Sequence, residues 1–265
     1  MLGHDEPVTA AARLPGSALL RWLEQAVGGQ VRSVLFRSGH LSNVVGLELR
    51  DGRGVVLKVR PWQSRLLGCA EAHRTLMAAG FVCPALWAAP ELVDGSAVSI
   101  EQFRPGGYLL PPAVHADRYA RLLAELVRRA GPVEQMADLV GDSPPWVGWD
   151  HPNDDLWPER DDTGRDLNRV PGPAWIDDAA QAARSLLQSA GLPLVVGHAD
   201  FEAHNIDWRG DAAYAVHDWD SVAVQPEAAI AGAAAAVYTD DGMDEGAATL
   251  SSAGSQGACY ARPRS

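Results

Sequence analysis

The chain has 265 residues, 47% hydrophobic and 21% charged, the composition of a soluble globular protein long enough to bury a large core. A formal net charge of −12 argues against a nucleic-acid-binding surface, although it suits solubility as well as it suits a cationic ligand. Cys69, Cys83 and Cys259 have no metal or redox spacing, the N-terminus lacks a signal-peptide pattern, and the longest small-apolar run, 228–237, is too short to span a bilayer, so the expectation is a cytoplasmic chain.

In chain order, Ser17 is expected to cap an amphipathic helix with Leu19, Leu20, Leu23 and Val27 on one stripe, stopped by Gly28-Gly29. Strands are expected over 31–37 and 44–49, joined by Ser38-Gly39-His40-Leu41-Ser42-Asn43. After the turn Asp51-Gly52-Arg53-Gly54 comes a third strand, 55–59. It carries Lys58, the one lysine among 22 basic residues. A compact ammonium inside an apolar strand can serve a tight phosphate site that a planar guanidinium does not fit; the alternative is an edge-strand lysine facing water. A helix-like run over 69–79 ends at Gly80, and 98–103 is expected to be the last strand before the linker-like Arg104-Pro105-Gly106-Gly107.

Beyond the linker, 114–129 is expected to be a helix burying Tyr119, Leu122, Leu123 and Leu126. The stretch 144–157 is rich in Trp and Asp. It can hold an aminated, hydroxylated ligand through Asp150, Asp154 and Asp155, or be a surface loop anchored by its tryptophans. A helix over 175–190 is expected to pack Ile176, Ala179, Ala183, Leu186 and Leu187 inward and end at Gly191. The segment 226–238 is helical by pattern; from Thr239 the chain is small, polar and aperiodic, the composition of a disordered tail.

Residues 195–221, VVGHADFEAHNIDWRGDAAYAVHDWDS, carry the strongest functional signal. An apolar strand leads into a polar turn at Asp200, and Ile206 and Trp208 restart an apolar pattern. Arg209-Gly210-Asp211 is a turn, and Tyr214, Ala215 and Val216 form a returning strand. Such a hairpin brings Asn205 and Asp218 to one end, near Asp200. Two carboxylates and an amide oxygen then converge. Magnesium favours hard oxygen ligands and needs only one or two carboxylates beside substrate phosphates. Asp200 is left to accept a proton from an attacking hydroxyl.

This block resembles that of the aminoglycoside phosphotransferase and choline kinase-like family, a branch of the protein-kinase-like superfamily. The matching residues are His198-Ala199-Asp200, then Asn205, then His217-Asp218-Trp219-Asp220. Ala199 stands where the family has Gly and His217 where it has Ile; His217 is expected to be a structural, hydrogen-bonded histidine. The resemblance implies that Asp200 is the base, that His198 supports the loop, and that Asn205 and Asp218 bind Mg2+, with Asp220 the alternative ligand to Asp218. It implies that Lys58 pairs with a helix glutamate, for which Glu71 is the candidate unless it faces solvent, and holds the ATP phosphates. It makes Ser42 and Asn43 a phosphate loop, or else an ordinary hairpin turn. It places the adenine near Glu101, Gln102 and Phe103, with backbone groups mattering more than side chains.

The expected architecture is an α+β, protein-kinase-like two-lobed fold with a β-rich small lobe (1–104), a mainly helical large lobe (105–238) that ends early relative to the family, and a tail (239–265). The expected activity is transfer of the γ-phosphoryl group of ATP, with Mg2+, to a hydroxyl of a small molecule, cationic if the acidity is read that way, with no nucleic-acid or membrane partner. The alternative is a kinase-like protein that binds nucleotide or a small ligand without turnover. Acceptor identity, ATP against GTP, and oligomeric state stay open.

Overall fold

The computed structural model describes residues 16–39, 42–109, 116–144, 154–157 and 166–240. The sequence first builds a helix, α1 (Ser17–Val27). Gly16, not Ser17, stands at its N-cap, without a side-chain cap; Gly28 ends it in the left-handed conformation, φ 61°. Then come β1 (Val31–Gly39), β2 (Asn43–Leu49), β3 (Gly54–Pro61), α2 (Arg65–Ala78), β4 (Leu86–Val93) and β5 (Ser96–Gln102). The five strands form one antiparallel sheet in the order β1-β2-β3-β5-β4.

Strand alternation sorts the sheet's two faces. Leu47, Val55, Leu57, Val98 and Ile100 point to one face and pack with Leu23 and Val27 of α1. Lys58 and Arg60 of β3, with Ser99 and Glu101 of β5, share the other face, since the register sets Lys58 opposite Ser99 and Val56 opposite Glu101. The resemblance implies a strand entry at 81–85 after α2; β4 itself begins at Leu86, and Pro90 interrupts its pattern in the sequence. Its hairpin to β5 turns on Asp94 and Gly95, both at positive φ (48° and 79°), as a tight two-residue connection requires.

The large lobe holds α3 (Ala116–Arg129), α4 (Ala174–Ser189), β6 (Leu194–His198), β7 (Ile206–Arg209), β8 (Ala212–Val216), β9 (Val222–Pro226) and α5 (Glu227–Asp240). β6 pairs with β9 and β7 with β8, both antiparallel. Gly197 lets Ile230 of α5 close on the β6 backbone: a Cβ there would lie 2.7 Å from two of its carbons. The core of this lobe includes Tyr119, Leu126, Trp208, Trp219 and Val224, and Cys69, Ala72 and Leu76 of α2 join it. The inner face of α2 is therefore built into large-lobe packing, across the boundary drawn at residue 104.

In α4 the expected inward stripe is only partly covered. Ile176, Ala183 and Leu187 are half-buried, Ala179 and Leu186 are exposed, and Ala180 is the buried residue. The tail expected from Thr239 begins as helix, since α5 runs to Asp240; residues from 241 on, positions 145–153 of the Trp- and Asp-rich stretch and 158–165 after it lie outside the described residues. Within that region Trp157 is tied down, its indole donating to Asp177 of α4 (3.0 Å) and its backbone N–H to Asn168 (2.8 Å), as an anchoring tryptophan would be. Among the described residues no helix is long and apolar enough to cross a membrane.

Candidate active site

β6 ends at His198, and the turn that follows carries the block read from the sequence. His198 is buried; its Nε2–H donates to His217 O (2.9 Å) and its Nδ1 accepts the Asp200 N–H (3.2 Å). One ring thus fixes the backbone at both ends of the site. Burial pushes its pKa down to about 4, so the ring is neutral and can accept at Nδ1. Asn205 donates from Nδ2 to Asp200 O (2.9 Å) and Oδ2 (3.0 Å), which turns its amide oxygen away from Asp200. His217 N–H donates to Asn205 O (2.8 Å), linking the β7–β8 hairpin to the loop. The His217 ring meets buried Asp207 at 3.1 Å and is the hydrogen-bonded structural residue expected.

Two residues that the sequence pattern did not single out flank Asp200. Glu202 lies against it, and His204 Nδ1 lies 2.8 Å from Glu202 Oε2. Burial, then the neighbouring charges of Glu202 and Asp218, push the Asp200 carboxyl up to about 8. The signal was present as alternation: Asp200, Glu202 and His204 stand two apart in the loop.

Asp218 takes a left-handed conformation, φ 61° and ψ 49°, rare for a residue with a side chain and a mark of a site held in place by its surroundings. Ser221 Oγ donates to its Oδ2 at 3.1 Å. Burial, then the charge of Asp220, raises its pKa to about 6. Asp220 is different. Burial would raise it, but Arg60 and Lys58 overcome that and hold it well below the usual carboxylate range. Arg60 Nη1 pairs directly with Asp220 Oδ2. The side chain of Asp218 is 38% exposed and that of Asp220 18%, so of the two candidate ligands Asp218 faces the opening and Asp220 is engaged by Arg60.

Across from them stands Lys58, almost fully buried. Its ammonium lies 3.1 Å from Glu101, 3.6 Å from Asp220 and 3.7 Å from Asp218. Burial opposes the charge, yet the carboxylates, Glu101 first, hold its pKa above the usual lysine range. The expectation that Lys58 pairs with Glu71 is corrected: Glu71 is half-exposed and pairs with Arg74 on its own helix (3.2 Å). The reason is helical phase. Arg65, Cys69, His73 and Leu76 of α2 face inward, and Glu71 lies about 200° around the axis from Cys69. Glu101, expected beside the adenine through its backbone, also has a buried carboxylate that makes the shortest ionic contact of Lys58. Arg60, also outside the expected set, was legible as the residue two positions after Lys58 on one strand, hence on the same face.

The other expected nucleotide contacts sit at the edges. Asn43 pairs with Val59 and Val44 with Lys58 in the sheet register, so the tip of the β1–β2 hairpin, with half-buried Ser42 and exposed Asn43, lies at the Lys58–Arg60 end of β3; His40 and Leu41 lie outside the described residues. Phe103 packs on Gly54 and near Phe36, ring centroids 5.7 Å apart. The linker after it is pinned to the β7–β8 hairpin. The Tyr214 ring lies beneath the guanidinium groups of Arg104 (4.4 Å) and Arg209 (3.7 Å), and Arg209 donates to Pro105 O (2.7 Å) and Gly106 O (3.1 Å). An open depression of about 470 Å3 beside Trp62, Arg65 and Asp142 lies next to this site rather than over it.

The donor set fits a magnesium ion held partly by substrate. Among the described residues no three His, Cys, Asp or Glu side chains form a metal cage, whereas one carboxylate (Asp218) and one amide oxygen (Asn205) suit a cation that keeps waters and binds phosphates.

The architecture is that of the protein-kinase-like fold, and known structures share it. The aminoglycoside phosphotransferase APH(4)-Ia, in complex with ADP and hygromycin B, superposes with a TM-score of 0.50 at 17% identity over 79% of this chain and 73% of its own. A candidate aminoglycoside phosphotransferase from Ralstonia eutropha gives 0.55 at 16% identity, over 81% and 67%. Spectinomycin phosphotransferase APH(9)-Ia, with ADP and spectinomycin, gives 0.50 at 14%, over 80% and 70%. No family model and no curated protein matches the sequence. The chain thus has the fold of the aminoglycoside phosphotransferases.

Proposed function

We propose that the chain is an ATP-dependent phosphotransferase that moves the γ-phosphoryl group to a hydroxyl of a small molecule. The observation that carries this reading is the approach of Asp200, Asn205 and Asp218 of the large lobe to one another and to Lys58 of the small-lobe sheet, with Arg60 beside it on Asp220. Nucleotide complexes of two proteins of the same fold support it.

The roles follow from position. Asp200 in its ionised form accepts the proton of the acceptor hydroxyl; with the carboxyl raised to about 8 that form is a stronger base than an exposed carboxylate, and its share grows as pH rises toward 8. His198 and Asn205 fix the Asp200 loop so that the base meets the acceptor at a set distance. Asp218 and the amide oxygen of Asn205 would hold magnesium, which, when bound, neutralises charge on the transferring phosphoryl group. Lys58 and Arg60 bind phosphate oxygens from the small-lobe side. The sheet tip at Ser42 and Asn43 covers the phosphates, and the strand end at Glu101–Phe103 borders the base. Half-buried Glu202, beside Asp200, suits an acceptor bearing an ammonium group near its hydroxyl.

The test is magnesium-dependent transfer of phosphate from γ-labelled ATP to a panel of hydroxylated amines and sugars, by wild type and Asp200→Asn. Labelled product from the wild type alone supports the reading. Equal product from both sinks the assignment of Asp200 as base.

A further inference from the structure

Lys58 is held by the sheet it belongs to. β3 and β5 run antiparallel with Lys58 opposite Ser99, so Glu101, two residues on, lies on the same face and diagonally adjacent, within reach of a long side chain. The two charged groups meet at 3.1 Å with side-chain exposures of 8% and 7%. A pair this buried is weakly screened.

α2 has no acid available for that task. Arg65 donates to Asp220 O and Val222 O (2.6 and 2.5 Å), Cys69 Sγ lies 3.6 Å from the same Asp220 carbonyl, and His73 donates to Pro84 O (2.8 Å) while stacking on Trp219 at 4.9 Å. The contacts with Asp220, Val222 and Trp219 bolt the helix to the large lobe. Glu71 points the opposite way.

Three carboxylates surround the ammonium, and they are not equivalent. Asp218 and Asp220 come from the large lobe; the first faces the opening and the second is engaged by Arg60. Glu101 alone comes from the same sheet as the lysine. We propose that Glu101 is the positioning residue for Lys58, setting the phosphate-binding ammonium from β5, so that nucleotide binding does not depend on an acidic side chain of α2. This role rests on the reading of Lys58 as a phosphate ligand given above. Without the Glu101 charge the ammonium is left to the large-lobe anions Asp220 (3.6 Å) and Asp218 (3.7 Å), and its position is no longer set by its own sheet.

The single lysine makes the test direct, because a lysine-selective 13Cε label reports on Lys58 alone. Four full-length proteins are compared: wild type, Glu101→Gln, Glu101→Asp and Glu71→Gln. Glu101→Gln keeps the volume and an acceptor oxygen, a thermal melt confirms folding, and Glu101→Asp keeps the charge with a shorter reach. Nucleotide-free spectra and the KM and kcat for magnesium-ATP are recorded for each. The expected result is a moved lysine resonance in Glu101→Gln and a KM raised about tenfold, the loss of one charge-assisted contact, with kcat changed less. Glu101→Asp should fall between, and Glu71→Gln should superimpose on wild type. A Glu71→Gln protein that moves the resonance and raises KM, or a Glu101→Gln protein that does neither, overturns the proposal. A wild type that binds no magnesium-ATP overturns the functional reading on which the role rests, and the nucleotide-free spectra separate that failure from a failure of the pairing.

Discussion

Asp200→Asn should make the protein more stable as it makes it inactive. Burial and the charges of Glu202 and Asp218 raise the Asp200 carboxyl from an ordinary 3.8 to about 8 in the folded state. A folded pKa above the unfolded one means that the fold prefers the protonated form. The contribution is fully present below pH 3.8 and is lost as pH rises through 8. Each tenfold change in proton affinity corresponds to about 1.4 kcal/mol. Part of the difference between 3.8 and about 8 is returned by Glu202, which the same hydrogen bond, together with His204, holds below its ordinary value. The net penalty on the wild type at pH 8 should therefore be on the order of 2 kcal/mol, or roughly 4–8 °C in Tm for a chain of this size. Asn has the same shape and no charge to lose. Thermal melts of both proteins from pH 5 to 9 should show a gap in favour of Asp200→Asn that widens with pH and levels off near 8. A gap that is constant with pH, or that favours the wild type at pH 9, would refute the strained-base account.

Other substitutions test neighbouring parts. Asp218→Asn should fold and lose magnesium-dependent turnover in the phosphotransfer assay; retained turnover would move the metal-binding role to Asp220. Lys58→Ala leaves Glu101 buried without its cation, and denaturant unfolding should show a loss of about 3 kcal/mol. Gly197→Ala places a methyl 2.7 Å from Ile230 carbons and should cost about 1–3 kcal/mol by the same measurement, with little change in KM for ATP if the protein is assayed well below its Tm.

The parts of the fold written in local pattern were legible. Asp200, Asn205 and Asp218 sit in a strand–turn–hairpin whose short apolar runs are punctuated by polar turns, and the structure brings them to one end. Lys58 stands out because it is alone. What stayed hidden is written in facing rather than in spacing. The inner face of α2 carries Arg65, Cys69 and His73, polar residues satisfied by backbone carbonyls, so no apolar stripe reveals its phase, and the helix glutamate that the resemblance implies, Glu71, faces away from Lys58. Glu101 lies in an apolar strand in which only the pairing register shows what its side chain meets. β4 is obscured by Pro90, and its boundary rests on the positive-φ pair Asp94-Gly95, a hairpin signal that is present in the sequence. α4 shows the converse error: a helical stripe suggests a buried face, and in the structure Leu186 is 59% exposed.

Binding of a magnesium nucleotide at this site is tested most directly by calorimetric titration of the purified chain with ATP, with and without magnesium. Saturable one-to-one binding that requires magnesium and is lost in Lys58→Ala is expected. A cooperatively folded protein that gives no heat with magnesium-ATP, or that binds ATP equally well after the Lys58 substitution, would contradict it.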